Sequence, residues 1–185
     1  MAEEATGALK ESVMERRTDR ATVKQADSPG WRVWIQPYRE EWYEGLDESM
    51  EEGFWSVPRK AQKGDLVICY VSYRWSCFAH IAEIASQPVY RRAEFRAGLA
   101  YMAHLRPVCR LDDPVRFREL RTHPVLKKAN FVRAGVVMGF DATPFWPHLR
   151  RLIVQKNRTV GTPLATYESG HAQPSPRRHK RVVGA

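Results

Sequence analysis

One stretch constrains the fold more than any other: Lys63-Gly64-Asp65, followed by the unbroken apolar run Leu66, Val67, Ile68, Cys69, Tyr70 and Val71. A short apolar run rich in β-branched and aromatic residues, fed by a glycine turn signal, reads as a central strand. A central strand needs neighbours. After a polar loop from Ser72 to Ser76, Phe78 to Ala85 supplies the next strand of a hairpin or barrel edge, and Leu99 to Leu111 supplies another, broken near Pro107. Upstream, Trp31 to Ile35 reads as a first strand stopped by Pro37. Between them, Arg39 to Met50 carries Trp42, Tyr43 and Leu46 at helical spacing, and Gly53 ends that helix.

The last third changes period. Asp113-Pro114 before Val115, Phe117 and Leu120 predicts a capped short helix with Pro114 at its first position, and Val125 to Ala134 a second. Thr143-Pro144 repeats the signal before Phe145, Trp146, Leu149, Leu152 and Ile153, an amphipathic stripe that packs on the sheet. The predicted fold class is α+β, a small mixed β-barrel with flanking short helices. Residues 31–157 form this domain. Residues 1–30, mixed in charge and ending in Asp27-Ser28-Pro29-Gly30, read as a flexible or partly helical extension. Residues 158–185, interrupted by Pro163, Pro174 and Pro176 and ending in Arg177, Arg178, His179, Lys180 and Arg181, read as a disordered basic tail.

A chain of 185 residues suits one such domain, and 43% apolar with 28% charged residues is a globular composition. With 30 Lys plus Arg against 21 Asp plus Glu, the net charge of +9 favours a polyanionic partner. Six Trp, seven Tyr and seven Phe are what a basic protein needs to stack unpaired bases, and equally what any core uses for buried area. No apolar run reaches the roughly 18 to 20 residues of a membrane span, and the first residues lack a secretory pattern. Three scattered cysteines point to reduced thiols and a cytoplasmic setting. Cys69 and Cys109 are expected to be buried in strands, and Cys77, beside the loop, to be the reactive one.

The order of motifs carries more than the composition does. Gly53-Phe54-Trp55-Ser56-Val57-Pro58-Arg59, then Lys63 to Val71, then Phe78-Ala-His-Ile-Ala-Glu-Ile-Ala-Ser86 and Gln87-Pro-Val-Tyr90, resembles the EVE domain family over about Trp31 to Val154. That resemblance implies a PUA-like barrel related to the YTH and ASCH groups, which bind nucleic acids. It also implies a pocket for one nucleobase, often a modified one such as methylcytosine, its hydroxymethyl form, or methyladenine. Matching the Gly-Val-Trp-Ser segment of YTH domains, Trp55 is implied as a cage wall and Ser56 as a polar contact to the base. His80 stands where the family usually has glycine, and the loop from Ser72 to Ser76 also departs from its pattern.

Reading a single base asks for an aromatic slot with a few fixed donors and acceptors, because extracting the base costs a few kcal/mol. Trp34, Trp55, Tyr70 and Trp75 are the candidates for that slot. Trp34 and Tyr70 equally suit the core of their strands, and Trp75 is either a stacking platform or a loop anchor. Arg59, Lys60 and Arg74 are candidates for the flanking phosphate, or solvated charges. The partner implied is DNA or RNA, with no membrane and no cofactor.

An enzyme is the rival class. His80, His104, His123 and His148 show neither H-x-E nor H-E-x-x-H spacing, and no C-x-x-C, G-x-S-x-G, G-x-x-x-x-G-K or G-x-G-x-x-G occurs. No catalytic or metal-binding residue is therefore assigned. Glu83, a carboxylate within an apolar strand, faces solvent, a basic neighbour or a base edge. A protein-interaction module that docks an acidic partner on the basic surface is the remaining alternative.

Overall fold

The strand read from Leu66 to Val71 is β3 (Leu66–Val71), buried at every position. Its turn is as the sequence implies: the Asp65 N–H donates to the Gln62 carbonyl at 3.1 Å, and Gly64 takes φ +87°, a conformation that disfavours other residues. The chain is described by a computed structural model for residues 30–39, 50, 53–72, 74–92, 99–136 and 139–171. The readings made for residues 1–29, for most of Arg39–Met50 and for the tail after His171 lie outside the described residues.

On one side β3 pairs in parallel with β1 (Val33–Tyr38), and on the other it forms the expected antiparallel hairpin with β4 (Cys77–Ile84). Outside β4 runs β7 (Leu105–Arg116), and outside β1 lies β8 (Phe140–Asp141), giving the order β7-β4-β3-β1-β8. A second sheet joins β2 (Trp55–Ser56), β5 (Val89–Arg92) and β6 (Leu99–Ala103) in the order β2-β6-β5. Among the described residues, four α-helices of four or more residues follow or interrupt the strands: α1 (Phe117–Thr122), α2 (Asn130–Arg133), α3 (Trp146–Lys156) and α4 (Gly161–His171). The described part is thus mixed α+β.

Among the described residues, alternation along β1 separates the two larger cores. Val33 and Ile35 face the helices with Leu66, Ile68, Phe78 and Ile81 beneath Leu149, Ile153 and Leu164. Trp34 and Tyr38 face the second sheet with Val67, Cys69, Ala82 and Ile84 against Trp55, Val57, Ala103 and Leu105. Both faces of β3 are covered, which is why its sequence shows no polar alternation.

Four expectations are corrected. Pro37 does not stop β1, which continues to Tyr38: β8 pairs only as far as Ile35, so that side of the ladder has already ended. The break in the third hairpin partner falls at His104, between β6 and β7, while Pro107 sits within β7 at a register shift opposite Ala82. Pro114 also belongs to β7, so α1 begins at Phe117 instead, with the Glu119 carboxylate accepting the Arg116 N–H at 2.7 Å. The tail is not disordered from residue 158: a 3-10 turn, Arg158–Val160, leads into α4, where Leu164 and Tyr167 are buried and Pro163 sits in the first turn, which needs no N–H.

Two side chains hold that end in place. Asn157 accepts the Asp113 N–H at 2.8 Å and donates to the Asp113 carbonyl at 2.9 Å, tying the end of α3 to β7. Tyr167 donates to the Gly64 carbonyl and packs edge-on against Trp31 at 5.2 Å. Burial, with Glu83 and Asp65 nearby, pushes the Tyr167 phenol well above its ordinary range, so it stays a donor.

Candidate functional site

The last three residues of β1 and both residues of β2 converge where the five-stranded sheet meets the smaller one. Tyr38 packs edge-on against Trp55, with ring centroids 5.4 Å apart, and its hydroxyl donates to the Ser56 carbonyl at 3.3 Å. Burial foremost, and Cys69 beside it, push the Tyr38 phenol well up, so it serves as a fixed neutral donor. Gln36 stands two residues before Tyr38 on the same face of β1. Its Nε2 donates to the Ser56 Oγ at 3.2 Å, which leaves its Oε1 buried and, among the described residues, without a hydrogen-bond partner.

A buried acceptor left unpaired costs about 1–3 kcal/mol, so the fold has a reason to keep it or would replace it. Gly139, the residue before β8, frames the same atom. A Cβ there would stand 2.4 Å from Pro58 Cγ and 2.7 Å from Gln36 Oε1, so only glycine admits this approach. The arrangement is an aromatic wall of Trp55 and Tyr38, a half-buried hydroxyl on Ser56, and one vacant acceptor on Gln36. Chemically, the group left without a partner is a hydrogen-bond acceptor, near two aromatic rings.

The residues singled out from sequence divide unevenly. Trp55 and Ser56 stand together at this place, Trp55 only 7% exposed and so also part of the core. Trp34 lies on the same face of β1, but its indole N–H is committed to Asp65 Oδ2 at 2.8 Å, a carboxylate that also accepts the Arg32 and Gln62 N–H groups. Tyr70 is not brought to the site: it faces the helix-side core, packed against Phe78 and Phe117. Trp75 is half-buried against Val71, Cys77 and Ala79, and its carbonyl accepts from Arg116 at 3.3 Å, which is the loop-anchor arrangement. Arg59 and Lys60 are exposed on the turn closed by Ala61 N–H to the Pro58 carbonyl, and Arg74 is exposed before β4.

Sequence reading missed Gln36, Tyr38 and Gly139. The signal was present as a glutamine alternating with Trp34 and Tyr38 on one strand face. Glu83 resolves to the basic-neighbour reading, with Arg106 at 2.5 Å and His171 Nε2 at 3.5 Å. The thiol expectation is corrected as well: Cys77 is fully buried and burial pushes its thiol up, whereas Cys109 is the partly exposed cysteine. Among the described residues no cluster of three or more His, Cys, Asp or Glu is placed to hold a metal, and no helix is long and apolar enough to cross a membrane.

Comparison with known proteins gives a family and a fold. Residues 24–144 match the family model described as EVE domain. No curated protein matches the chain. A protein from Rhodopseudomonas palustris, solved by NMR, is similar in structure with a TM-score of 0.54 at 14% identity, over 69% of this chain and 94% of that one. A hypothetical protein from Leishmania major gives a TM-score of 0.52 at 16% identity, over 65% of this chain and 94% of that one. The YTH domain of a Zygosaccharomyces rouxii protein, in complex with N6-methyladenosine RNA, gives 0.39 at 16% identity, over 64% and 85%.

Proposed function

Because the chain belongs to the EVE domain family, we propose that it is a noncatalytic nucleic-acid-binding module that seats one nucleobase, preferentially a modified one, between Trp55, Tyr38, Ser56 and Gln36. The two sheets together are read as the PUA-like barrel of that family, with the base entering where they meet. The observation that carries the reading is the vacant Gln36 Oε1. An acceptor held in a buried site beside an aromatic wall suits a base edge, which brings an N–H in the plane of its own π-face. A methyl substituent on the base would add apolar contact against Trp55. Tyr38, kept protonated, fixes the Ser56 backbone and takes no part as an acid or base.

Arg59, Lys60 and Arg74 are assigned to the phosphates that flank the seated base. Phosphate contacts of this kind position the strand and read no sequence, so the base is the selective element. The test is equilibrium binding of short single-stranded and duplex DNA and RNA carrying cytosine, 5-methylcytosine, 5-hydroxymethylcytosine, adenine or N6-methyladenine at one position. We expect one modified base to be preferred by about tenfold or more, on a background that weakens steeply with salt for every oligonucleotide. Equal affinity for all of them, or a chemically altered base recovered from the mixture, contradicts the proposal.

A further inference from the structure

The smaller sheet carries a second feature, on the strand furthest from the pocket. Strand β5, Val89-Tyr90-Arg91-Arg92, is exposed at all four positions and lies at the edge of the order β2-β6-β5. Tyr90 is 60% exposed, the most open of the large apolar side chains among the described residues. Isolated exposed aromatics are ordinary on protein surfaces. This one is not isolated. It packs at 5.0 Å on Tyr101, its register partner on β6, and Tyr101 in turn packs on the core that contains Trp55.

Register places these rings on one face. Trp55 opposes Ala103, Tyr101 lies two residues before Ala103, and Tyr90 opposes Tyr101, so period-two alternation points all three the same way. Arg92 shares that face, about 7 Å beyond Tyr90 along the strand. Arg91 points to the other face, where its guanidinium stands 3.8 Å over the ring of Phe54, the residue before Trp55. Phe54 itself packs on His104 at 4.0 Å. An aromatic path thus leads from the pocket wall to an open ring with Arg92 on its face, while Arg91 lies over Phe54 on the other face.

Resting on the pocket reading above, we propose that the β5 edge is the docking surface for the unpaired nucleotide next to the seated base, with Tyr90 stacking on that neighbour and Arg92 meeting its phosphate. Every base has a π-face, so a stacking platform of this kind is tolerant of sequence. Charge decides between this occupant and a second protein strand. Two arginines and no acidic residue on a four-residue edge complement a phosphate backbone, and charged side chains on an edge strand act against pairing with another strand. The surface therefore selects single-stranded over duplex nucleic acid.

The experiment compares wild type with Tyr90→Ala, Tyr90→Phe and Arg92→Gln, using fluorescein-labelled single-stranded hexamers with cytosine, 5-methylcytosine, adenine or N6-methyladenine at the third position. The tightest-binding hexamer then serves as the probe, with its duplex form alongside. Tyr90→Ala should weaken the single-stranded probe by about tenfold, Tyr90→Phe should retain it, and Arg92→Gln should lower the slope of log affinity against log salt by about one. Melting temperatures should stay at the wild-type value, since the ring is mostly in solvent. Unchanged affinity in Tyr90→Ala, while Gln36→Met loses binding, overturns the platform and leaves the pocket standing. Loss in Tyr90→Ala with full binding in Gln36→Met removes the pocket, and with it the account of Tyr90 as its flank. A dimer of wild type that dissolves in Tyr90→Ala, with oligonucleotide affinity unaltered, overturns the proposal in favour of edge pairing between copies.

Discussion

On the helix side of the five-stranded sheet, Val33, Ile35, Leu66, Ile68 and Phe78 meet Leu149, Ile153 and Leu164, and the polar groups buried there, Asn157 and the Tyr167 hydroxyl, have their partners. On the opposite side, residues one position along the same strands meet a smaller sheet, and there the Gln36 side-chain Oε1 is buried with none among the described residues. The two faces share strands, backbone and register. What differs is whether the packing is finished. A sequence selected only for stability would fill position 36 with an apolar side chain, as it does at position 35, and the proposed base site falls on this unfinished face.

The contrast yields two substitutions with separable outcomes. Leu149→Ala removes a fully buried side chain from the helix-side core and should cost about 2–5 kcal/mol, read as a large drop in melting temperature. Oligonucleotide affinity, measured cold enough that the variant remains folded, should stay near wild type. If it falls with stability, the faces are not independent and the comparison breaks. Gly139→Ala is the smaller perturbation, about 1–3 kcal/mol of crowding against Pro58 and Gln36. Here affinity should fall by more than the stability loss explains, because the displaced atom is the acceptor itself. Calorimetric melting beside fluorescence titration reads both.

How much of this was legible depends on what a residue's neighbours in sequence reveal. The run from Leu66 to Val71 was plain because burial on both faces removes polar positions, and the Lys63-Gly64-Asp65 turn because φ +87° favours glycine. Prolines misled at three places. Pro37, Pro107 and Pro114 all lie in strands, tolerated where the ladder ends or its register shifts, a condition set by neighbours distant in sequence. The helix α4 was hidden by its Gly, Thr, Ser and Pro content, although Leu164 and Tyr167, with Val160 just before the helix, form an apolar stripe. At the site, Trp55 and Ser56 were visible as a motif. Gln36 was not, since a lone glutamine in a strand has meaning only through Ser56 and Gly139, 20 and 103 residues away.

The most direct measurement is the affinity of Gln36→Met for the preferred oligonucleotide, taken beside its melting temperature. Methionine keeps the length of the side chain while removing both the bond to Ser56 and the unpaired acceptor. Losing one hydrogen bond costs about 0.5–1.5 kcal/mol and relieving a buried orphan returns about 1–3, so stability should hold or rise. Affinity should fall by about tenfold or more, the loss of one buried hydrogen bond to the base with its desolvation. A variant as tight as wild type would show that Gln36 reads no ligand, and would contradict the account of this face as a binding site.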